Sequence, residues 1–226
     1  MALTRLDSDE RRKAIVRAAV PLFARNGFAG TTTRELAEAA GISEALLFRH
    51  FPSKQLLYRE ILRLGCEGDP ALEQLATLQP STATLVCMVR FMVRRFLLGG
   101  EAERAELDPR LRLLLHSFLE DGDFAREGFA TVSERVVPLF EASLAAAIAA
   151  GDAVARRGAP ANRFWFAHHV AAMMALATLP GPSCMPYEGQ LDDIVDEAIS
   201  FILRGIGMTD AAIASAGEPA LQSAAD

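Results

Sequence analysis

Residues 31–51 read TTTRELAEAAGISEALLFRHF, a pattern typical of two short helices joined by a tight turn. Thr32 is placed to cap the first helix, and Glu35 follows at the spacing of a capping box. Gly41 stands where a helix ends in the left-handed conformation, and Ser43 is placed to cap the second helix. Two helices joined by a glycine-containing turn predict a helix-turn-helix motif, whose second helix fits the major groove of DNA.

The net charge of −6 argues against a nucleic-acid partner, but the charge is unevenly distributed along the chain. Residues 1–60 contain ten Lys and Arg and seven Asp and Glu, a net charge of +3. Residues 61–226 contain thirteen Lys and Arg and twenty-two Asp and Glu, a net charge of −9. A basic N-terminal segment on an acidic remainder predicts a local phosphate-binding surface, with repulsion keeping the remainder away from the polymer.

Composition bounds the class of protein. About half of the 226 residues are apolar, yet no uninterrupted apolar run approaches the ~20 residues of a membrane span. The first residues lack the apolar core of a signal peptide, so we expect a cytoplasmic protein without membrane contact. Cys66, Cys87 and Cys184 have no metal-ligand spacing, so we expect reduced thiols, no metal site and no cofactor.

Apolar residues recur at helical spacing through the chain and nowhere alternate as in a strand, which predicts an all-α fold. Asp108 and Pro109 predict a helix start, Pro138 is expected to kink or split a helix, and residues 67–80 are expected to be a loop or a broken helix. Beyond the motif, the predicted helices span about 8–26, 54–66, 82–98, 109–121, 124–150, 161–179 and 188–204.

The predicted helix 161–179 is apolar nearly all round, which the surface of a monomer would not tolerate. With the amphipathic helix 188–204 it predicts a two-fold interface between two copies of the chain. A two-fold dimer predicts an inverted-repeat operator, with recognition helices ~34 Å apart or a multiple of that distance. The interface residues that we predict are Phe164, His168, Ala172, Ala175, Leu191, Ile194, Val195, Ala198 and Ile202.

The segment GFAGTTTRELAEAAGISEALLFRHFPSKQLLYREIL, residues 27–62, resembles the DNA-binding domain of the TetR (tetracycline repressor) family of bacterial transcription regulators. The likeness covers about residues 10–62, and the remainder matches only in length and helical character. The resemblance implies a homodimer that binds operator DNA, a small apolar effector of unknown identity, and most often a repressor that the effector releases. We expect a DNA-binding domain at 1–60, a helical effector-binding and dimerisation domain at 61–208, and a disordered tail at 209–226.

The resemblance also implies DNA contacts at matching positions. Thr33 matches a phosphate contact, Arg34 a contact to phosphate or a base edge, and Lys54 a phosphate-binding lysine. Arg49 either grips guanine bidentately or holds phosphate without sequence preference, and the sequence leaves both open. The exposed face of the recognition helix matches Ser43, Glu44, Ala45, Phe48, Arg49 and His50.

Three positions on that face carry further alternatives. The family usually has Gly where this chain has Ala45, whose methyl either touches a thymine methyl or merely stands off the backbone. It usually has Tyr where this chain has Phe48, which offers only van der Waals contact because it has no hydroxyl. Glu44 either reads cytosine or favours the helix N-terminus.

The rest of the chain suggests an effector pocket less specifically. A stripe of Met and aromatic residues at helical spacing is more often plain core than a cavity lining. No nucleophile elbow, zinc spacing or phosphate loop is present in the sequence, so we expect no enzyme and no catalytic residue. A helical regulator that acts mainly through a protein partner, or an activator, stays open as an alternative. The pocket candidates are Met88, Phe91, Met92, Leu115, His116, Leu119 and Phe140.

Overall fold

The computed structural model describes residues 8–66, 70–98, 101–120, 122–177, 185 and 187–215. Regular structure in these residues is α-helical, apart from one isolated antiparallel bridge between Ala153 and Met208. The all-α prediction is therefore confirmed. None of the described helices is long and apolar enough to cross a membrane. The helices are α1 (Ser8–Asn26), α2 (Thr33–Ala39), α3 (Glu44–His50), α4 (Lys54–Cys66), α5 (Pro70–Ala76), α6 (Thr82–Leu97), α7 (Glu101–Leu119), α8 (Asp123–Arg135), α9 (Val137–Ala149), α10 (Pro160–Ala177), α11 (Leu191–Ile206) and α12 (Asp210–Ser215).

The predicted start of one helix at Pro109 is wrong. Helix α7 begins at Glu101 and contains Pro109 in its interior. The preceding residues, EAERAEL, are mostly strong helix formers, and their summed propensity outweighs the hydrogen bond that an internal proline removes.

Two other predictions concern the helix that contains Pro138 and the tail at residues 209–226. Helix α8 ends at Arg135 and α9 begins at Val137, so the split near Pro138 is confirmed. Part of the predicted tail forms α12, Asp210–Ser215, and residues 216–226 lie outside the described residues.

The described residues cluster into two compact units. Those within Met1–Gly68 and Ala105–Thr131 form the first unit, and those within Asp69–Arg104 and Val132–Asp226 form the second. Most of α7 therefore groups with the N-terminal helices. A single division of the chain at residue 60 would assign α7 to the other domain. The division at residues 60 and 208 stays a prediction.

The core of the first unit holds the helix-turn-helix in place. Phe23 of α1 is fully buried, and its ring centroid lies 4.9 Å from that of Tyr58 on α4. Tyr58 in turn lies 4.3 Å from Phe124 of α8, measured between ring centroids. Leu36 of α2 and Leu47 of α3 pack into the same buried cluster. Each helix of the motif thus inserts an apolar side chain into one shared core.

The second unit is built around α6, which packs against α9, α10 and α11. Apolar side chains of all four helices are buried there, and the rings of Phe140 and Phe164 meet edge to face at 5.5 Å between centroids. The buried Arg163 donates to the carbonyl oxygens of Ile206 and Arg156, both at 3.1 Å. This guanidinium satisfies one carbonyl group at the C-terminal end of α11 and one in the segment between α9 and α10.

Candidate nucleic-acid interface

Helix α2 begins at the capping box that the sequence predicts. The Thr32 hydroxyl accepts a hydrogen bond from the Glu35 amide at 3.2 Å, and the Glu35 carboxylate accepts one from the Thr32 amide at 2.8 Å. Hydrogen bonds from the backbone and side chain of Thr32 to the charged carboxylate lower the pKa of Glu35. The box fixes the residue at which α2 starts, and so the position of Thr33.

The turn between α2 and α3 is also as predicted. Gly41 has φ of 65°, in the left-handed region, and its amide donates to the Glu38 carbonyl at 3.0 Å. The Ile42 amide donates to the Ala37 carbonyl at 3.0 Å, which completes a Schellman motif. The Ser43 hydroxyl then accepts from the Leu46 amide at 3.2 Å and caps α3. These bonds fix the entry of the recognition helix.

Helix α3 presents a face for a partner. Its one buried residue is Leu47, whereas Glu44, Ala45, Phe48 and Arg49 are exposed. Their spacing of one, four and five residues places these four side chains on one side of the helix. The ring of Phe48 is 43% exposed. The predicted recognition face is therefore accessible along the whole of α3.

Two of the residues predicted to contact DNA, Thr33 and Glu44, are hydrogen-bonded to each other. The Thr33 hydroxyl donates to the Glu44 carboxylate at 2.7 Å and so ties the start of α2 to the start of α3. The Arg34 guanidinium pairs with Glu38 at 3.0 Å on the exposed surface of α2. An exposed pair at this spacing stabilises a helix by only about 0.2–0.5 kcal/mol, so Arg34 can exchange Glu38 for phosphate at little cost.

Positive charge converges at the C-terminal end of α3. Burial lowers the pKa of His50 below its ordinary 6.5, and the charges of Arg49, Arg11 and Arg12 lower it further. The neutral form of the imidazole is therefore favoured, and the three arginines around it supply positive charge. A phosphate backbone is attracted to such a charge.

Arg12 has a role that the sequence did not reveal. Its Nη1 donates to the His50 carbonyl at 2.6 Å, its Nη2 lies 3.4 Å from the Glu60 carboxylate, and its Cζ lies 4.2 Å from the centroid of the Phe51 ring. Sequence spacing offers no signal for this contact, because Arg12 and His50 are 38 residues apart. Arg12 connects α1, α3 and α4 and so supports the position of α3.

Lys54 also has contacts within the domain. Its ammonium donates to the carbonyl oxygens of Phe28 at 2.7 Å and Thr31 at 2.8 Å, and lies 4.2 Å from the centroid of the Phe28 ring. Burial lowers the pKa of Lys54, and the charge of Glu120 opposes that shift. Two of the three ammonium donors thus hold the loop that precedes α2. The phosphate contact of Lys54 stays a prediction beside this positioning role.

The predicted pocket residues lie in both units. Met88 and Phe140 belong to the buried core of the second unit, and Phe91 and Met92 are partly buried there. In the first unit, Leu115 and Leu119 are exposed on α7, Leu119 by 85%. His116 of the same unit lies close to Gly27, where an added Cβ would come within 3.1 Å of its Nδ1. The assignment of an effector pocket to these residues stays a prediction.

Most of the predicted interface residues are buried within the second unit. Phe164, Ala175, Val195, Ala198 and Ile202 are buried, whereas Leu191 is exposed and Ala172, Ile194 and His168 are partly buried.

Three other apolar side chains of the same helices are exposed. They are Phe166 (66%) and Met173 (55%) on α10 and Phe201 (67%) on α11. Phe166 and Met173 are seven residues apart, so they lie on one stripe of α10. The sequence could not select the two positions on α10, because a helix that is apolar all round does not reveal which side faces outward. The interface stays a prediction, and a partner would find these three side chains accessible together with Leu191.

Comparison with known proteins relates the N-terminal segment to regulators. Residues 15–61 match the family model described as "Bacterial regulatory proteins, tetR family". The chain is 45% identical over 53 residues to the HTH-type transcriptional regulator RutR of Escherichia coli K12, a match that covers 24% of this chain and 25% of RutR. It is 45% identical over 82 residues to the HTH-type transcriptional repressor KstR2 of Rhodococcus jostii RHA1, covering 30% of this chain and 40% of KstR2. The matches thus span less than half of the length of these relatives.

Solved structures resemble a larger part of the chain. AibR in complex with isovaleryl coenzyme A and operator DNA aligns with a TM-score of 0.63 at 18% identity, covering 84% of this chain and 97% of AibR. NalD of Pseudomonas aeruginosa, the secondary repressor of the MexAB-OprM multidrug efflux pump, aligns with a TM-score of 0.64 at 22% identity, covering 90% of this chain and 100% of NalD. At such identities the likeness establishes a shared fold.

Proposed function

We propose that the chain is a transcription regulator that binds operator DNA through α3, because residues 15–61 match the family model of bacterial regulatory proteins of the tetR family. The observation that carries this proposal is the accessible face of α3, with Arg49 and Phe48 exposed beside Arg11 and Arg12. A seven-residue helix of this kind fits the major groove, and the arginines beside it suit the phosphates that flank the groove.

The regulator acts as a homodimer in this proposal. Phe166 and Met173 on α10 and Phe201 on α11 expose large apolar surfaces on two helices that pack against each other. A second copy of the same surface would remove these side chains from water in a two-fold interface. A two-fold dimer presents two copies of α3, which suits an inverted-repeat operator.

The remaining parts of the proposal concern control. KstR2 and NalD are named as repressors, and AibR was solved with both isovaleryl coenzyme A and operator DNA. By analogy, this chain represses its target and is released by a small apolar effector bound in the second unit. Such coupling requires the effector to prefer the conformation with low DNA affinity, typically by about 1–3 kcal/mol.

Selection of binding sites from a pool of random DNA duplexes, with the full chain, tests the proposal. We expect enrichment of an inverted repeat whose half-sites are centred about 10 base pairs apart or a multiple of that, with an affinity that falls steeply as salt increases. Recovery of unrelated sequences with equal affinity would contradict operator recognition. A reporter gene placed behind the enriched site then distinguishes repression from activation.

A further inference from the structure

We propose that α3 recognises thymine in its operator, with Phe48 and Ala45 packed against thymine methyl groups and Arg49 bound to an adjacent guanine. This inference rests on the proposed function and names the bases for which the recognition face is built. The inference starts from the two apolar residues of that face, Ala45 and Phe48. They are three residues apart and therefore lie on the same side of α3.

The exposed ring of Phe48 is the first support. At 43% exposure it keeps much of its apolar area in contact with water, next to the exposed methyl of Ala45. Phe48 lies one residue after the buried Leu47, so its ring is directed away from the core that anchors α3. The side chain is therefore available to pack against an apolar group of a partner.

The polar alternatives on this face are already engaged, which is the second support. The Glu44 carboxylate accepts the Thr33 hydroxyl at 2.7 Å, so one of its two oxygens already has a partner within the protein. The Ser43 hydroxyl accepts from the Leu46 amide as the helix cap. Arg49 remains as an exposed guanidinium on the face, and a guanidinium suits guanine O6 and N7.

Charge favours duplex DNA as the occupant of this face. Arg11, Arg12 and Arg49 act together on His50, so the apolar patch is adjacent to a concentration of positive charge. A polyanion is therefore favoured over an apolar protein surface. In the major groove the C5 methyl of thymine is the apolar group that a base pair presents. An apolar patch that enters this groove consequently favours thymine.

Replacement of thymine by uracil removes this methyl and leaves base pairing intact. A duplex enriched from the random pool is synthesised twice, once with thymine and once with uracil at every such position. We expect the full chain to bind the uracil duplex about 4-fold more weakly for each methyl contacted, or about 15-fold for one methyl in each of two half-sites. For Phe48→Ala we expect the ratio of the two affinities to fall by about 4-fold for each methyl that Phe48 contacts, so that only the contribution of Ala45 remains.

Two further variants separate base recognition from other effects. Phe48→Leu keeps an apolar side chain and should retain most of the preference for thymine. Arg49→Ala should bind both duplexes more weakly and leave their ratio unchanged. Thermal unfolding of each variant at the wild-type midpoint shows that the substitution leaves the folded state as stable as that of wild type.

The possible outcomes separate the inference from the function on which it rests. If uracil weakens wild type and Phe48→Ala equally, the methyl acts through the stiffness of the DNA, and the assignment to Phe48 is overturned. The same holds if uracil has no effect on wild type, whereas operator binding itself would stand in both cases. If the pool yields no enriched sequence, the proposed function fails.

Discussion

Helices α3 and α10 each expose a phenylalanine, but the surroundings of the two rings differ. Phe48 on α3 is flanked by Arg49 and lies in the cationic field around His50. Phe166 on α10 shares its exposed stripe with Met173 and has Trp165 beside it in the chain. The same exposed ring therefore suits a DNA groove in one place and a second copy of the chain in the other. Neighbouring charge, more than exposure, distinguishes the two kinds of surface.

The histidines of the two helices show the same contrast. Burial lowers the pKa of both, but the charges that lower it further come from three arginines at His50 and from His169 at His168. His168 lies among aromatic rings, with centroids 5.5 Å from Phe96 and 5.7 Å from Trp165. One histidine thus marks a charged surface and the other a largely apolar cluster.

The largest expected effect is on the dimer. Phe166→Glu would bury an unpaired carboxylate in the proposed interface twice, once in each copy, and should weaken dimerisation by at least about a thousand-fold. Sedimentation equilibrium measures this. Val154→Glu is the matched control, because Val154 is 57% exposed but lies outside α10 and α11. Equal dimerisation of Phe166→Glu and the control would place the interface elsewhere.

The second effect concerns DNA. Arg49→Ala should weaken binding of the enriched operator by about 1–3 kcal/mol in each half-site, because it removes a bidentate base contact, and should relax specificity at one base pair. Fluorescence anisotropy on the operator and on each single-base variant gives both quantities. A uniform loss across all sequences would mean instead that Arg49 binds phosphate.

The third effect distinguishes positioning from phosphate binding. Lys54→Met removes the ammonium that donates to the carbonyls of Phe28 and Thr31, so it should lower the free energy of unfolding by about 1–3 kcal/mol. The slope of log affinity against log salt should hardly change. Arg34→Ala is the comparison, and should reduce that slope by about 1 in each half-site without loss of stability. If Lys54→Met instead kept its stability and reduced the salt slope, Lys54 would be a phosphate contact.

The fourth effect is a pH dependence in the second unit. Burial, with a smaller contribution from the charge of His169, lowers the pKa of His168 to about 4 from 6.5. The unfolded chain therefore binds a proton between these values that the folded chain does not, and stability falls as the pH falls from 6.5 towards 4. The loss between pH 7 and pH 5 is about 2 kcal/mol. Urea unfolding measures it, and His168→Phe should lack this part of the pH dependence.

The smallest effect tests the turn that aims α3. Gly41→Ala should lower the free energy of unfolding by about 1 kcal/mol, because its φ of 65° is unfavourable for alanine. An added Cβ meets no atom within 4 Å, so the loss is conformational and not steric. Gly41→Asn should lose less, since asparagine tolerates this conformation. Equal losses for both variants would contradict a conformational cause.

The helix-turn-helix could be predicted because its signals are local. The Thr32–Glu35 box, the left-handed Gly41 and the Ser43 cap each act within a few residues, and the structure shows all of them. Pro138 is a signal of the same kind.

Contacts between distant residues could not be predicted in this way. Arg12 reaches His50 across 38 residues, and Lys54 reaches Phe28 across 26. On α10, the buried Phe164 and the exposed Phe166 are alike in sequence, since only the packing of neighbouring helices separates them. The predicted start at Pro109 was wrong because propensity over a whole segment outweighed one proline.

Hydrogen–deuterium exchange of the full chain, with and without the enriched operator, tests the contrast between the two helices most directly. If α3 contacts DNA and α10 contacts a second copy, operator should slow exchange in residues 44–50 and leave residues 160–177 of the dimer unchanged. Slower exchange in α10 with no change in α3 would contradict the assignment of both surfaces.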